Sequence, residues 1–301
     1  MKRDFLTVAE FTGSEIEGLL TRAIDLKAGK DRGACPLAGK SIGLFFEKPS
    51  TRTRVSFEVG IYQLGAQPLY LTAKEIQLNR GETIADTARV LSRYMHGLVL
   101  RTYAHSTIEE FAVHAAIPVI NALSDKHHPC QSLADLMTVL EKKGRLKGIR
   151  LAYIGDGNNV ANSLIEAAAR VGMEVIIACP EGYEPDPEVL ERSRNEAKGE
   201  IVLLRDPREA AAGADVVYTD VWVSMGQEGE AEKKRIKFQG YQVNGQLLQC
   251  ARRDALVLHC LPAHRGEEIT NEIMDGPNSV VFDQAENRLH TAKALLEMLI
   301  R

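Results

Sequence analysis

The stretch SIGLFFEKPSTRTRVSFEVGIYQL, residues 41–64, decides the fold class. Residues 41–47 are a short apolar run and read as a strand, whereas residues 53–64 carry apolar side chains at helical spacing. Between them Pro49 punctuates, and Ser50, Thr51 and Thr53 supply hydroxyls where a helix would begin. A strand that feeds directly into a helix is half of a βαβ unit, whose strands run parallel.

The alternation continues on both sides. TGSE at residues 12–15 reads as a capping box opening a helix to about residue 26. Strands are predicted over 67–73, 97–103 and 118–123. Helices are predicted over 82–94, 106–115 (with Ser106 as candidate N-cap) and 130–143. A second series follows, with strands over 150–155, 174–178, 200–204, 215–219, 255–259 and 279–282. Its helices fall over 158–171, 187–197 and 208–212, and a terminal amphipathic helix over 291–299.

The expected fold class is therefore α/β: two similar domains, each a mostly parallel sheet flanked by helices. Lys142, Lys143, Arg145 and Lys147 around Gly144 and Gly148 mark a boundary near 145, and equally suit a solvated helix end. The expected domains are 1–145 and 146–287, with a C-terminal helix of about 288–301 packing back on the first. In open parallel sheets ligands bind beyond the carboxyl ends of the strands, so a cleft between the halves is the expected site.

Composition narrows the class further. The 301 residues are 45% apolar and 26% charged, with net charge −4. That excludes disorder and offers no global basic field to nucleic acid or an anionic membrane. No apolar run reaches the ~18–20 residues a membrane span needs, and no signal peptide is expected. Cys35, Cys130, Cys179, Cys250 and Cys260 are odd in number and never spaced C-x-x-C. This argues against a disulfide framework or a clustered zinc site and fits a cytoplasmic location.

Six segments carry candidate chemistry. FEKPSTRTR (46–54) joins a helix start to hydroxyls and to Arg52 and Arg54, which suits a phosphate or simply a capped surface helix. Arg101 closes a strand in LRTY and faces either the same cleft or solvent. In HHPCQ (127–131), His128 and Gln131 are placed to donate to a carbonyl or phosphate oxygen. A zinc site needs three or four ligands, and nothing in the sequence joins His259, Cys260 or His264 to this segment. IGDGNNVA (154–161) looks like a dinucleotide turn, but it lacks the third glycine in register and the acid after the next strand. Its amides, Asn158 and Asn159, suit a small polar ligand. DVWVSMG (220–226) offers a carboxylate, a hydroxyl and backbone to an amino acid, followed by a polar stretch that reads as a lid or a surface insertion. In LHCLPAHRG (258–266), Cys260 fits a packed thiol, a polar site group or a nucleophile.

Taken in order, FEKPSTRTR, LRTY, HPCQ, GDGNN, D-x3-SMG and HCLPAHRG closely resemble the ornithine branch of the aspartate/ornithine carbamoyltransferase superfamily. The resemblance runs from the capping box to Arg288. STRTR with HPxQ indicates only a carbamoyltransferase; SMG and HCLP mark the ornithine branch, since the aspartate branch typically has HPLP.

The resemblance implies that Ser50, Thr51, Arg52 and Thr53 bind carbamoyl phosphate. Arg101, His128 and Gln131 would contact its phosphate, carbamoyl oxygen or amide. Gln77 would come from a neighbouring subunit, and Arg288 from the C-terminal segment. Cys260 and Leu261 would stand beside the carbamoyl carbon. Asn159, Asp220, Ser224 and Met225 would hold ornithine. Cys260, Arg101, His128 and Asp220 are the implied catalytic groups. The implied reaction is direct carbamoyl transfer from carbamoyl phosphate to the δ-amine of L-ornithine, within arginine metabolism. No covalent enzyme intermediate, cofactor or metal is expected. The implied assembly is a homotrimer or a multiple of trimers, with no nucleic-acid or membrane partner.

Overall fold

The computed structural model describes residues 2–31, 33–72, 81–223 and 228–300. The chain divides into two compact units, Met1–Ala134 with Glu286–Arg301, and Asp135–Ala285.

In the first unit, α1 (Gly13–Lys27) opens on the capping box: Thr12 accepts from the Glu15 N–H, and Glu15 accepts from the Thr12 N–H at 2.8 Å. Strands β1 (Ser41–Phe46), β2 (Gln67–Thr72), β3 (Gly97–Arg101) and β4 (Val119–Leu123) form one sheet in the order β2-β1-β3-β4. Every pairing is parallel. Helices α2 (Thr51–Gln63), α3 (Ile84–Tyr94) and α4 (His105–His114) connect the strands, and α5 (Pro129–Lys143) follows β4. The central strands are unbroken apolar runs because helices cover a parallel sheet on both faces. Phe45, Leu98, Leu100, Ile108 and Phe111 are each at most 1% exposed and pack in one cluster. Burying each such side chain stabilises by about 1.5–3 kcal/mol.

The second unit holds β5 (Arg150–Ile154), β6 (Glu174–Ala178), β7 (Ile201–Leu204), β8 (Val216–Thr219) and β9 (Leu256–His259). Their order is β7-β6-β5-β8-β9, again all parallel. The helices are α6 (Asn159–Val171), α7 (Pro187–Glu196), α8 (Pro207–Ala211), α9 (Ala231–Lys237), α10 (Gly245–Leu248) and α11 (Asn271–Met274). The last helix, α12 (Val281–Leu299), begins here and continues into the residues of the first unit.

Three expectations need correction. Ser106 does not cap α4: the helix starts one residue earlier, and the His105 N–H is met by the distant Asp125 carboxylate at 2.8 Å. Residues 279–282 are not a strand. Ser279 makes a single parallel bridge to Val257, and α12 starts at Val281. A short apolar run reads the same as a strand or as the buried start of a helix. The helix then runs on through DQAENR, which is polar because Gln284 donates to Asp135 at 2.7 Å and Asn287 accepts from Lys27 at 2.8 Å. Finally, the polar stretch beyond Gly226 is not one long loop: among the described residues it carries a 3-10 turn (Glu228–Glu230) and then α9.

Candidate active site

In the first unit the chain order reverses between β1 and β3, which lie side by side. Ligands collect beyond the strand ends at such a point. Register pairs Phe46 with Arg101. The Glu47 N–H donates to the Arg101 carbonyl at 2.8 Å, and the Glu47 carboxylate accepts from the Tyr103 N–H at 2.8 Å. The loop after β1 is thereby pinned to the end of β3. Lys48, unassigned from sequence, is buried with its ammonium 4.3 Å from the Tyr103 ring centre.

Ser50 is the N-cap of α2 and accepts from the Thr53 N–H at 3.3 Å. The first turn of α2 therefore carries Thr51 exposed, Arg52 half-buried and Thr53 buried, at the positive end of the helix dipole. Arg101, His128 and Gln131 are all buried. Cys130 turns away and donates to the Asn121 carbonyl, and burial pushes its thiol up to about 12. It is a packed thiol inside the motif.

Arg288 reaches this cluster from α12. Its Nη1 donates to Gln131 Oε1 at 2.5 Å and its Nη2 to Thr53 Oγ1 at 3.0 Å. His128 is held well below its ordinary value, first by burial and then by the charges of Arg288, Arg101 and Arg52. The ring is neutral at neutral pH. Three guanidiniums, hydroxyls, a helix start and a neutral imidazole suit a phosphate-bearing donor.

In the second unit the reversal falls between β5 and β8. Asn158 caps α6, accepting from the N–H groups of Val160 at 2.9 Å and Ala161 at 3.2 Å. Its Nδ2 donates to Asp220 Oδ2 at 2.7 Å. Register pairs Thr219 with His259, so Asp220 and Cys260 leave their strands side by side. The Cys260 thiol donates to Asp220 Oδ1 at 2.9 Å. Both carboxylate oxygens are thus oriented.

Below them, His259 Nδ1 accepts from the Leu261 N–H at 2.9 Å while Nε2 meets Glu268 Oε1 at 3.0 Å. This holds Leu261 at φ +58, in the left-handed region that a leucine rarely adopts. Asp220, His259 and Cys260 bring ligand-type atoms within 4.8 Å of one another. Both His259 nitrogens are already engaged, which disfavours the set as a zinc site.

The structure gathers Ser50, Thr51, Arg52, Thr53, Arg101, His128, Gln131 and Arg288 in the first unit, and Asn159, Asp220, Cys260 and Leu261 in the second. Asn159 opens α6, but the amide that grips Asp220 belongs to its neighbour Asn158. The N-cap rule was the available signal for Asn158. Gln77, Ser224 and Met225 lie outside the described residues.

Residues 3–141 match a family model described as "Aspartate/ornithine carbamoyltransferase, carbamoyl-P binding domain". Residues 147–299 match one described as "Aspartate/ornithine carbamoyltransferase, Asp/Orn binding domain". The chain belongs to the aspartate/ornithine carbamoyltransferase family.

Within this family, the ornithine carbamoyltransferase of Syntrophus aciditrophicus is 54% identical over 302 residues, covering 100% of both chains. The solved ornithine carbamoyltransferase of Pyrococcus furiosus has a TM-score of 0.95 at 52% identity, over 99% of this chain and 97% of that one. That of Thermus thermophilus gives 0.91 at 46% identity, over 100% of both. Arg288 falls in the region matched to the family's Asp/Orn domain, although its hydrogen bonds join the first unit. Among the described residues no helix is long and apolar enough to cross a membrane.

Proposed function

We propose that the chain transfers the carbamoyl group of carbamoyl phosphate to the δ-amine of L-ornithine, giving L-citrulline and phosphate. The observation that carries the choice of acceptor is the buried Asp220 carboxylate, fixed by Asn158 and Cys260. An anion there attracts an amino acid bearing a second amine and repels the second carboxylate of aspartate.

In this reading residues 1–145 bind the donor and residues 146–287 the acceptor, with residues 288–301 serving the first. Ser50, Thr51, Arg52, Thr53, Arg101 and Arg288 hold carbamoyl phosphate, with Gln77 of a neighbouring subunit. His128 and Gln131 meet its carbamoyl group. Asn159, Asp220, Ser224 and the Met225 backbone hold ornithine. The neutral δ-amine attacks the carbamoyl carbon directly and a C–N bond forms. Charge grows on the carbonyl oxygen, where Thr53, Arg101 and neutral His128 stabilise it. The C–O bond to phosphate then breaks, and the phosphate leaves with its electron pair among the guanidiniums. The amine's proton passes toward the Cys260–Asp220 pair, and Leu261 flanks the reacting carbon. Cys260 orients the amine and forms no acyl-enzyme.

The enzyme works in the cytoplasm, in arginine metabolism, as a trimer or a multiple of trimers. Formation of the carbamoylated product with ornithine, putrescine, lysine and aspartate offered in parallel tests the acceptor. Size-exclusion chromatography with light scattering tests the assembly, and a monomer fully active at nanomolar concentration would overturn it.

A further inference from the structure

Lys234, on α9, has a side chain only 3% exposed. Its ammonium donates to Asp156 Oδ2 at 2.6 Å and stands 5.5 Å from the Tyr183 ring centre. A lysine is almost never this buried unless its charge is answered. Neither Lys234 nor Asp156 has a role in the reaction described above.

The position of Asp156 gives the pair a consequence. It lies in the turn after β5, two residues before Asn158. Its carbonyl accepts from the Asn158 N–H at 2.8 Å and from the Tyr153 hydroxyl at 3.0 Å. Gly157 between them has no room for a side chain: a Cβ there would lie 2.2 Å from the Pro185 nitrogen. Asn158 then donates to Asp220. An unbroken chain of contacts runs from Lys234 through Asp156 and Asn158 to Asp220 and Cys260.

Charge points the same way. Burial raises the Asp156 carboxyl, Lys234 opposes the rise, and the charges of Asp220 and Glu230 add to it. Lys234 is thus the cation facing a region with two buried carboxylates. Anchoring of α9 does not depend on this pair alone. Phe238, directly after the helix, is fully buried among Trp222, Tyr183 and Tyr241, with ring centres at 5.7, 5.0 and 5.9 Å.

We propose that Lys234 is a positioning residue for the acceptor: by gripping Asp156 it fixes the turn that aims Asn158 at the Asp220 carboxylate. This rests on the reading of Asp220 as an acceptor group.

The test uses the full chain, with citrulline formation measured while each substrate is varied. Lys234→Met is expected to raise the KM for ornithine by about tenfold or more while the KM for carbamoyl phosphate stays within about threefold. Adding Asp156→Asn removes the stranded charge and is expected to recover at least about a third of that loss, a coupling that loss of packing alone would not show. An unmoved ornithine KM, an equal rise in both KM values, or no recovery in the double variant would overturn the proposal. If Lys234→Met fails to fold, Lys234→Gln, which keeps a donor without the charge, decides by the same split. Wild-type enzyme in the same assay separates the two readings. No citrulline from wild type sinks the acceptor assignment, whereas wild-type turnover with an unmoved variant sinks only the role of Lys234.

Discussion

Arg288 Nη2 donates to Thr53 Oγ1 at 3.0 Å across 235 positions of sequence. The other arm of the same guanidinium donates to Gln131. One planar fork thus ties the first turns of α2 and α5 to α12, a geometry that a lysine's point charge cannot copy. Removing it takes one donor from each of two buried polar groups and one cation from the donor site.

Arg288→Met is therefore expected to raise the KM for carbamoyl phosphate by about 10- to 100-fold, given about 1.5–3 kcal/mol for a charged hydrogen bond. The KM for ornithine should stay within about threefold. Steady-state kinetics with each substrate varied in turn will show the split. Equal rises in both constants would remove Arg288 from the donor site.

His128 links the site to acid stability. Its ring is held neutral in the folded chain, well below the ordinary 6.5. Unfolded, it takes up a proton as pH falls through about 6.5. Below that value the unfolded state binds more protons, so stability is lost as pH drops. His128→Gln removes this term, which is worth up to about 1.4 kcal/mol per pH unit below the unfolded value. Thermal melts between about pH 7.5 and about pH 5 should show the variant losing less Tm than wild type. His105 and His290 are also lowered by burial, so part of the acid sensitivity remains. Parallel losses in the two proteins would mean that His128 is not held neutral.

Gly157 and Gly18 should answer the same substitution in opposite directions. A Cβ at Gly157 would lie 2.2 Å from the Pro185 nitrogen and 2.3 Å from the Glu184 carbonyl carbon, both backbone atoms. Gly157→Ala is expected to cost about 1–3 kcal/mol or more and to weaken ornithine use by shifting the Asn158 turn. At Gly18, inside α1, a Cβ meets nothing within 4 Å. Gly18→Ala should stabilise by roughly 0.5–1 kcal/mol, as expected inside a helix. Urea melts of both variants check the contrast, and a stable Gly157→Ala protein would refute the tight turn.

The legible parts of the sequence were those with local signals. SIGLFF and GLVLR are apolar enough to declare buried parallel strands, and Thr12 with Glu15 declares a helix start. The strand ends then place Arg101, Asp220 and Cys260. The start of α12 stayed hidden because its polar residues are matched by distant partners: Gln284 by Asp135 and Asn287 by Lys27. Asp125 capping α4 from 20 positions away replaced the local candidate Ser106 for the same reason. Asn158 reads from sequence as an amide for a small polar ligand, not as the helix cap that grips Asp220, and Lys234 goes unread because a lysine in a charged run looks solvated. Only the register of β5, β8 and β9 turns Asn158 toward Asp220.

The central claim is that a fixed, buried Asp220 selects an acceptor with a second amine. Its most direct test measures carbamoylated product from carbamoyl phosphate with ornithine, putrescine, lysine or aspartate, each supplied separately to wild type and to Asp220→Asn. The account predicts citrulline from ornithine far above carbamoyl-aspartate from aspartate, and a loss of at least about 100-fold in kcat/KM for ornithine in the variant. Carbamoyl-aspartate as the main product, or unchanged ornithine turnover by Asp220→Asn, would contradict it.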